Sequence, residues 1–513
     1  MQTQPHTSQS KIISLEDLSK IIASLKKQGK KIVHCHGVFD LMHPGHIMHF
    51  EAAKRQGDIL IVTLTKDEFV GKGPGRPVFN QRLRAESVAS LGCVNYVAIN
   101  EWPIAVKVIE LLKPDVYAKG SDYENAANDL TGKIKDEEQA VKSVGGRIHF
   151  THEVSFSSTE ILNRHYMVYP DQAQLFLENF RKKHSVEQAI AQLKQLEGMK
   201  ILVIGDTIID EYHYCYPMGK SPKESIVASK YLREEAYPGG ILACANHAAG
   251  FSGSVDLVTV LGKENSKENF ILEHLKPRVN SHFFYRQDAP TIVKRRYVWE
   301  AFLIKMFEIV FIDDHPLPES VENQVLNFLK KNIKKYDLVL VADYGHGFLT
   351  SAIIDYLCKN SKFLAVNTQT NSANTGYNTI VKYPKADYVC IDEPEMRLAH
   401  QDKFGELEKL ILKTAKKMKC SNITVTRGHL GSLTYSKKDG FFQTPIFSKE
   451  IVDRVGAGDA FLAVTAPLVA KKTPADLIGF IGNTVGALAV KIVGNKSAVE
   501  PVALYKYMTA LLK

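Results

Sequence analysis

The stretch from His36 to His46, HGVFDLMHPGH, determines the predicted fold of the first part of the chain. It follows the apolar run KIVHC and contains a glycine turn and then Pro44-Gly45, flanked by two histidines. This order predicts the end of a strand, a tight turn and the beginning of a helix. The N-terminus of a helix carries unpaired N–H groups and a partial positive charge, so a phosphate group fits at this point.

Short apolar runs alternate with helical patterns from Lys31 to about Arg164, which is typical of a parallel sheet with crossover helices. The predicted strands are KIVHC, ILIVTLT, VNYVAI and DVYAK. A second series opens at Lys200 with KILVIGD and continues with DLVTVLG, DLVLVAD, FLAVNT, DYVCID and NITVTRG. We therefore predict an α/β fold class with two domains. The predicted limits are an N-terminal tail and helix over 1–30, a first domain over 31–168, a helical linker over 169–198 and a second domain over 199–513.

The composition excludes several other classes of protein. Hydrophobic residues make up 45% of the chain and charged residues 24%, which are ordinary values for a globular protein. The net charge of +9 comes from scattered lysines without a basic stripe interleaved with aromatics, so nucleic acid is not an expected partner.

Seven cysteines without a Cys-x-x-Cys pair argue against a disulfide framework, and the start lacks a secretory signal; both favour the cytoplasm. The apolar stretch from Leu477 to Gly494 is interrupted by polar residues, which predicts a buried helix and no membrane anchor.

Two other interpretations of the histidine-rich stretch remain open. It could be an ordinary helix start that carries surface histidines. It could also be a metal site, although the sequence places no acidic or thiolate partner at ligand spacing. The histidines that such a site would draw on are His34, His36, His43, His46 and His49.

The same stretch resembles the signature of the cytidylyltransferase-like nucleotidyltransferases, whose domain is Rossmann-like, and three further segments resemble that superfamily in the same order. GKGPGRPV from Gly71, followed by Gln81-Arg82, is similar to the basic loop that grips a triphosphate. AKGSDY from Ala118 is similar to the sugar-phosphate and nucleotide segment, and SSTEIL from Ser157 to the Ser/Thr-rich helix start. The resemblance implies catalytic roles for His43, His46 and Lys72, nucleotide contacts from Gly37, Phe39, Asp40, Lys119, Asp122, Ser157, Ser158 and Thr159, and substrate contacts from Arg76 and Arg82.

A second candidate site lies in VDRVGAGDAF, from Val452 to Phe461, where small residues precede an apolar helix with an acid in its first turn. The N–H groups of Gly456, Ala457 and Gly458 can bind a moving phosphate, and Asp459 can accept the proton of a sugar hydroxyl. The alternative is a glycine-rich helix cap.

This stretch resembles the C-terminal signature of the ribokinase family, and the resemblance extends over the second half of the chain. It implies ATP as the phosphate donor, magnesium as a cofactor and a ribokinase-like kinase domain. It implies substrate contacts from Asp210, Gly239, Gly240 and Asn246, nucleotide contacts from Thr426, Gly428, Gly456, Ala457, Gly458 and Asn483, and an indirect metal role for Glu395 and Asp392.

Several positions depart from the ribokinase pattern. Ala243 stands where the family has an asparagine that helps to bind the sugar, His346 stands where a lysine is usual, and Asp392 replaces an asparagine. Asn367-Thr368-Gln369 replaces the usual Asp-Pro-Lys. Because Asp459 is present, these departures favour an altered sugar substrate over an inactive kinase.

Taken together, the two halves resemble the bifunctional heptose-phosphate kinases and heptose 1-phosphate adenylyltransferases, with the order of the domains reversed. The resemblance implies a multifunctional transferase of nucleotide-sugar biosynthesis that acts on sugar phosphates and nucleoside triphosphates. The nucleotidyl donor is ATP or CTP, and a homodimer is an expectation from the ribokinase resemblance. One alternative is an active nucleotidyltransferase with a catalytically silent kinase-like domain for binding or dimerisation. Another is a cytidylyltransferase for glycerol or a lipid headgroup, although the usual Arg-Thr-Glu-Gly is missing before the Ser-Thr segment.

Overall fold

The computed structural model describes residues 8–73, 75–121, 124, 133–152 and 170–513. The chain divides into two compact units. Unit 1 consists of Met1–Tyr169 together with Tyr505–Lys513, and unit 2 of Pro170–Leu504.

Unit 1 is built on a five-stranded sheet in the order β3-β2-β1-β4-β5. All four neighbouring pairs are parallel. In sheets of this order, ligands bind outside the carboxyl ends of the strands, where the strand order reverses, here between β1 and β4. The strands are β1 (Ile32–Gly37), β2 (Ile59–Thr65), β3 (Tyr96–Asn100), β4 (Val116–Gly120) and β5 (Arg147–Thr151).

Helices cover both faces of this sheet, and each face has its own apolar core. Helix α1 shows why: its buried residues Leu15, Leu18 and Ile22 recur at helical spacing, and Ser14 caps its N-terminus. The helices of unit 1 are α1 (Leu15–Lys27), α2 (Pro44–Lys54), α3 (Gln81–Ala89), α4 (Val106–Leu112) and α5 (Lys133–Ser143).

Unit 2 contains a nine-stranded sheet in the order β10-β9-β6-β13-β14-β15-β16-β17-β18. It is parallel from β10 to β16, and its last two pairs are antiparallel. The strands are β6 (Lys200–Gly205), β9 (Ser254–Gly262), β10 (Val279–Arg286), β13 (Leu338–Asp343), β14 (Leu364–Thr368), β15 (Tyr388–Asp392), β16 (Asn422–Thr426), β17 (Ser432–Ser436) and β18 (Gly440–Thr444).

A four-stranded sheet, called the small sheet below, completes the strands of unit 2 in the order β12-β11-β7-β8. Its members are β7 (Thr207–Lys220), β8 (Val227–Gly240), β11 (Ile292–Trp299) and β12 (Ile304–Phe311). Strand β7 begins two residues after β6 ends, so a very short connection joins the nine-stranded sheet to the small sheet.

The helices of unit 2 pack mainly on the large sheet. They are α6 (Asp171–Arg181), α7 (Val186–Lys194), α8 (Ile241–Phe251), α9 (Glu268–His274), α10 (Glu319–Asn332), α11 (Ser351–Asn360), α12 (Glu393–His400), α13 (Leu407–Lys417), α14 (Ala457–Ala470) and α15 (Ala475–Ala489). The last helix of the chain is α16 (Pro501–Leu512).

Two boundaries differ from the sequence prediction. Residues 170–198 of the predicted helical linker (169–198) belong to unit 2. The rings of Phe180 and Phe480 stack with centroids 4.5 Å apart, and His184 bonds Asp476 at 2.7 Å. The end of the predicted second domain, Tyr505–Lys513, is grouped with unit 1. The contacts that determine both boundaries are between residues far apart in the chain, which a local pattern does not reveal.

All ten predicted strands are present, and the stretch around Asn483 forms the buried helix α15, as predicted. Strand β5 and the strands of the small sheet were missed, as were β10, β17 and β18. Within the described residues, the structure contains no helix that is both long enough and apolar enough to span a membrane.

Candidate active sites

The two histidines of unit 1 meet at the N-terminus of α2, beyond the end of β1. His43 is the N-cap residue, and its ring stacks on that of His46 with centroids 3.8 Å apart. Burial and the neighbouring Lys72 lower the pKa of His43, while burial and His43 lower that of His46 to about 3. Both rings are therefore neutral at pH 7, and each can donate a hydrogen bond from one nitrogen.

The turn that leads to these histidines is shaped by an aromatic ring. Gly37 ends β1, and a Cβ atom there would lie 2.8 Å from the ring of Phe39. Phe39 has a φ of 48° and packs edge-on against His46, at 5.2 Å between centroids. The predicted positions Gly37 and Phe39 thus fix the histidine pair in place.

The basic loop of unit 1 is attached to the same turn through Asp40. The buried Asp40 carboxylate accepts hydrogen bonds from Val78 N at 2.8 Å and Phe79 N at 3.1 Å, and it lies 3.5 Å from the Arg76 guanidinium. The side chains of Arg76 and Asp40 are only 2% and 1% exposed. Both were predicted as ligand contacts, whereas their polar groups are directed at each other and at the loop.

Lys72 is a cation of this loop whose charge lowers the pKa of both His43 and His46. Its side chain is half-buried. Burial, together with the charge of Arg76, lowers the pKa of Lys72 to about 8. A bound triphosphate would offset both effects, which is the electrostatic requirement for a phosphate-binding lysine.

Arg84 was missed by the sequence analysis, although it fixes the base of the loop. Its buried guanidinium donates to Phe79 O at 3.0 Å, Thr65 O at 2.8 Å and the Asp67 carboxylate at 2.6 Å. It also bonds Val38 O. Arg82, predicted as a substrate contact, is instead 81% exposed and pairs with Glu86 one helical turn away.

Lys119 lies at the end of β4, the strand beside β1, as its predicted role requires. Its Nζ forms an ion pair with the buried carboxylate of Glu137 at 2.7 Å, and that partner was not predicted. Three further predicted positions of this site, Ser157, Ser158 and Thr159, lie outside the described residues, as does Asp122.

The remaining histidines bond to threonine hydroxyls. His34 and His36 contact Thr63 Oγ1 at 2.7 and 2.8 Å, and His49 contacts Thr151 Oγ1 at 2.7 Å. Among the residues that the structure describes, no cluster of three or more His, Cys, Asp or Glu could bind a metal ion.

In unit 2, the glycine-rich turn precedes α14, and Asp459 lies in the first turn of that helix. Gly456 has a φ of 81°, and a Cβ atom there would lie 1.7 Å from Asn495 Oδ1, so glycine is required. Around Gly458 the space is open. Burial raises the pKa of Asp459 to about 6. A hydrogen bond from Tyr344 Oη at 2.7 Å stabilises the ionised form and partly opposes this rise. Asp459 is thus a candidate base whose pKa lies close to neutral pH.

The predicted sugar contact Asp210 lies on β7 and is nearly fully buried. Its carboxylate forms an ion pair with Arg296, which also bonds Glu308 at 2.8 Å. Gly239 is needed because a Cβ atom there would lie 2.2 Å from Asp210 Oδ2, and Gly240 has a φ of 56°. The pair of glycines therefore lets β8 pass close to Asp210.

The predicted substrate contact Asn246 has a different role. Its Nδ2 donates to His274 O at 2.8 Å, and its Oδ1 accepts from Lys276 N at 2.9 Å. Its polar atoms thus connect α8 to the end of α9 and the residues that follow it, and a sugar contact from this side chain stays a prediction.

A buried acidic pair lies beneath the turn that follows β13. Asp206 accepts N–H bonds from Tyr344 at 3.1 Å and His346 at 3.4 Å, and burial together with Asp343 raises its pKa to about 7. Lys382 bonds Asp343 at 2.6 Å. His346, which replaces the usual lysine, is buried, and burial with Lys294 nearby lowers its pKa to about 3. A neutral imidazole therefore stands where the family pattern has a cation.

Asp392 and Glu395 form a capping box at the start of α12. Each carboxylate bonds the backbone N–H of the other residue at 2.9 Å, and Glu395 also accepts from Thr370 N at 2.9 Å. Burial and the Asp392 charge raise the pKa of Glu395 to about 8. Both Glu395 oxygens are engaged by backbone donors, which fits an indirect metal role better than direct coordination.

The predicted nucleotide positions lie on neighbouring elements. Thr426 ends β16, Gly428 follows it with a φ of 56°, and Asn483 is buried in α15. The Asn483 amide donates to Ser432 Oγ at 2.6 Å and Gly479 O at 2.8 Å, so it connects α15 to β17.

Comparison with known families decides the classification. The family model for pfkB family carbohydrate kinases matches residues 199–501, which is more than half of the chain. The chain belongs to the pfkB family of carbohydrate kinases. The cytidylyltransferase-like family model matches residues 34–164. The order of the two matches, transferase first and pfkB kinase second, is the predicted one.

Curated relatives of this pfkB family member are bifunctional. The Bifunctional protein HldE of Aliarcobacter butzleri is 43% identical over 143 residues, which cover 27% of the chain and 30% of that protein. The Bifunctional protein HldE of Geobacter metallireducens is 39% identical over 158 residues, 30% of the chain and 31% of that protein. The chain spans less than a third of the length of these relatives.

Solved structures similar to the chain include two sugar kinases. Ribokinase of Arabidopsis thaliana, solved with ribose and ATP, is 16% identical, aligns over 62% of the chain and 99% of that structure, and has a TM-score of 0.46. Phosphofructokinase-2 of Escherichia coli, solved with substrates and products, is 13% identical over 61% of the chain and 99% of that structure, with a TM-score of 0.48.

Several residues that contact the candidate site residues of unit 2 were not singled out from the sequence. Tyr344 donates a hydrogen bond to Asp459, the candidate base. Arg296 forms an ion pair with Asp210, the predicted sugar contact. Lys294 is buried, and burial lowers its pKa while the Asp210 charge opposes the effect. The basic run Lys294-Arg295-Arg296 on a strand was the available signal, since alternate residues of a strand face the same side.

Proposed function

We propose that the chain is a bifunctional enzyme of nucleotide-sugar biosynthesis. One site phosphorylates a heptose-phosphate-like sugar with ATP, and the other transfers a nucleotidyl group from a nucleoside triphosphate to a sugar 1-phosphate. The observation that carries the proposal is that one chain combines a pfkB kinase with a buried base at Asp459 and a neutral histidine pair at a helix N-terminus.

At the kinase site, the Asp459 carboxylate takes the proton of the sugar's anomeric hydroxyl. The hydroxyl oxygen attacks the γ-phosphorus of ATP, the bond from that phosphorus to the β,γ-bridging oxygen breaks, and ADP leaves. The backbone N–H groups from Gly456 to Gly458 stabilise the charge on the transferred group. Asp210 would bind sugar hydroxyls, and its ion pair with Arg296 fixes its orientation.

At the transferase site, a phosphate oxygen of the sugar 1-phosphate attacks the α-phosphorus of the nucleoside triphosphate in line. The bond to the β-phosphate breaks, and pyrophosphate leaves with the negative charge. His43 and His46 donate hydrogen bonds to the phosphoryl oxygens, and Lys72 neutralises the departing pyrophosphate. No covalent intermediate is required, because positioning and electrostatics lower the barrier.

Magnesium bound with the nucleotide would supply further neutralisation of phosphate charge. Asp392 and Glu395 fit this requirement as an acidic pair whose charge a cation would stabilise. Because the oxygens of Glu395 already accept backbone N–H groups, the pair would hold the metal indirectly.

The alternative, an active transferase with a silent kinase-like domain, has a specific observation in its favour. His346 is buried and neutral where a cation is usual, and Asn246 is engaged by backbone groups. The retention of Asp459, with a pKa raised toward neutrality and a dedicated hydrogen-bond donor, favours the active kinase.

The function is tested by two assays on the full chain. Pyrophosphate release is measured with each of four nucleoside triphosphates against a panel of sugar 1-phosphates that includes heptose 1-phosphate. ADP formation from ATP is measured against sugars and sugar phosphates with a free anomeric hydroxyl. Asp459→Asn should abolish only the second activity and His46→Ala should reduce only the first. Absence of sugar-dependent ADP formation in the parent would support the silent-kinase alternative, and use of CTP would assign the donor as CTP.

A further inference from the structure

Asp453 lies three residues before Gly456 of the phosphate-binding turn, and its carboxylate is almost fully buried. Oδ1 accepts from Lys305 Nζ at 2.6 Å and Val455 N at 3.1 Å. Oδ2 accepts from Tyr212 Oη at 2.6 Å and Gly494 N at 3.1 Å. Both oxygens are thus fully engaged by donors.

These donors come from two different parts of unit 2. Val455 belongs to the turn itself, and Gly494 precedes Asn495, which packs against Gly456. Tyr212 and Lys305 belong to β7 and β12 of the small sheet. The Asp453 carboxylate therefore bonds the small sheet to the turn.

The small sheet also contains the residue that is predicted to bind the sugar. Asp210 lies on β7 two residues before Tyr212, and alternate residues of a strand face the same side. The strand that would bind the acceptor sugar is thus bonded, through Tyr212, to the carboxylate that anchors the phosphate-binding turn.

We infer that the Lys305–Asp453 ion pair has a positioning role. It holds the small sheet, which would bind the acceptor sugar, at a fixed position relative to the turn that binds the transferred phosphoryl group. This inference rests on the proposed kinase function of the site. In-line transfer requires the attacking oxygen and the phosphorus to be held in near-attack geometry, and a misplacement of about 1 Å can cost about a hundredfold in rate.

The charge state of Asp453 agrees with this role. Burial raises its pKa, but hydrogen bonds from Lys305 and Tyr212 outweigh burial, so the pKa lies below the ordinary value for an aspartate. The carboxylate stays ionised at neutral pH, and the ion pair with Lys305 is maintained.

The test compares Lys305→Met with Lys305→Arg and with a matched control, Arg233→Met. Arg233 lies on β8 of the same sheet and pairs with Glu300 at 2.7 Å, away from Asp453. We expect Lys305→Met to lower kcat of sugar-dependent ADP formation by about 10- to 100-fold while KM for ATP changes by less than about threefold. Lys305→Arg should restore most of kcat, and Arg233→Met should leave it unchanged.

Hydrogen exchange supplies a second readout that does not depend on catalysis. In the full chain, amides from Val455 to Ala460 should lose protection in Lys305→Met and keep it in Arg233→Met. Equal protection and equal kcat in these two variants would overturn the inference. A parent that turns over no sugar would contradict the proposed kinase function instead, and the exchange comparison would still decide whether the ion pair orders the turn.

Discussion

The hydroxyl of Tyr344 offers a quantitative test of how the kinase base is tuned. It donates to the Asp459 carboxylate at 2.7 Å inside a fully buried site, so it stabilises the ionised form of that base. Burial raises the pKa of Asp459 to about 6. Because the base must be ionised to accept a proton, kcat/KM for the sugar should rise with pH through about 6 and level off above it.

Tyr344→Phe removes this donor while keeping the ring. A hydrogen bond to a charged group contributes about 1.5 to 3 kcal/mol, and one pKa unit corresponds to about 1.4 kcal/mol. Loss of the bond destabilises the carboxylate, so the midpoint of the profile should move upward by about one to two pH units. At neutral pH the variant should therefore be slower than the parent, and it should recover at alkaline pH.

The assay is the pH dependence of kcat/KM for sugar-dependent ADP formation. Tyr336→Phe is the matched control, because Tyr336 also donates its hydroxyl to an aspartate of unit 2, Asp256, outside the site. Its profile should coincide with that of the parent. A Tyr344→Phe midpoint that stays in place or moves to lower pH would refute the assignment of Asp459 as the base tuned by Tyr344.

Three further predictions concern the two sites. Because burial and Arg76 lower the pKa of Lys72 to about 8, kcat/KM for the nucleoside triphosphate in pyrophosphate release should fall above that pH. Lys72→Arg should remove the fall, since arginine stays charged. An unchanged fall of kcat/KM at alkaline pH in that variant would contradict the phosphate-binding role of Lys72. His46→Ala should lower kcat of pyrophosphate release by about a hundredfold with unchanged circular dichroism, and near-parental activity would exclude His46 from transition-state stabilisation. Gly456→Ala should lower the free energy of unfolding in urea by more than about 1 kcal/mol because of its positive φ, whereas Gly458→Ala should not. An unchanged free energy of unfolding in Gly456→Ala would show that the turn tolerates a side chain at this position.

The five-stranded and nine-stranded sheets were predictable because their central strands are buried on both faces. Runs such as ILIVTLT and DLVLVAD are continuous in apolar residues, which is the pattern of parallel strands covered by helices. The small sheet was missed because β8 mixes charged and polar residues along its exposed length. In addition, β7 pairs with β11, a strand that is distant in the sequence.

The candidate sites were predictable where a motif places several residues on one turn. The histidine pair at α2 and Asp459 at α14 are such cases. Arg84 and Tyr344 were missed because each is a single side chain that acts through long-range hydrogen bonds. The hydrogen bonds of Asn246 were not foreseen, because its distance from the glycine pair in sequence does not reveal that α8 directs it to backbone groups near α9.

The most direct test of the central claim is pyrophosphate release by the full chain supplied with a nucleoside triphosphate mixture and a heptose whose anomeric hydroxyl is free, either unphosphorylated or as a heptose phosphate together with a phosphatase that removes the original phosphate from the kinase product. The account predicts release by the parent, none by Asp459→Asn, and restored release when that variant is given the corresponding sugar 1-phosphate. Failure of the parent to release pyrophosphate, even when the sugar 1-phosphate is supplied, would contradict the bifunctional assignment.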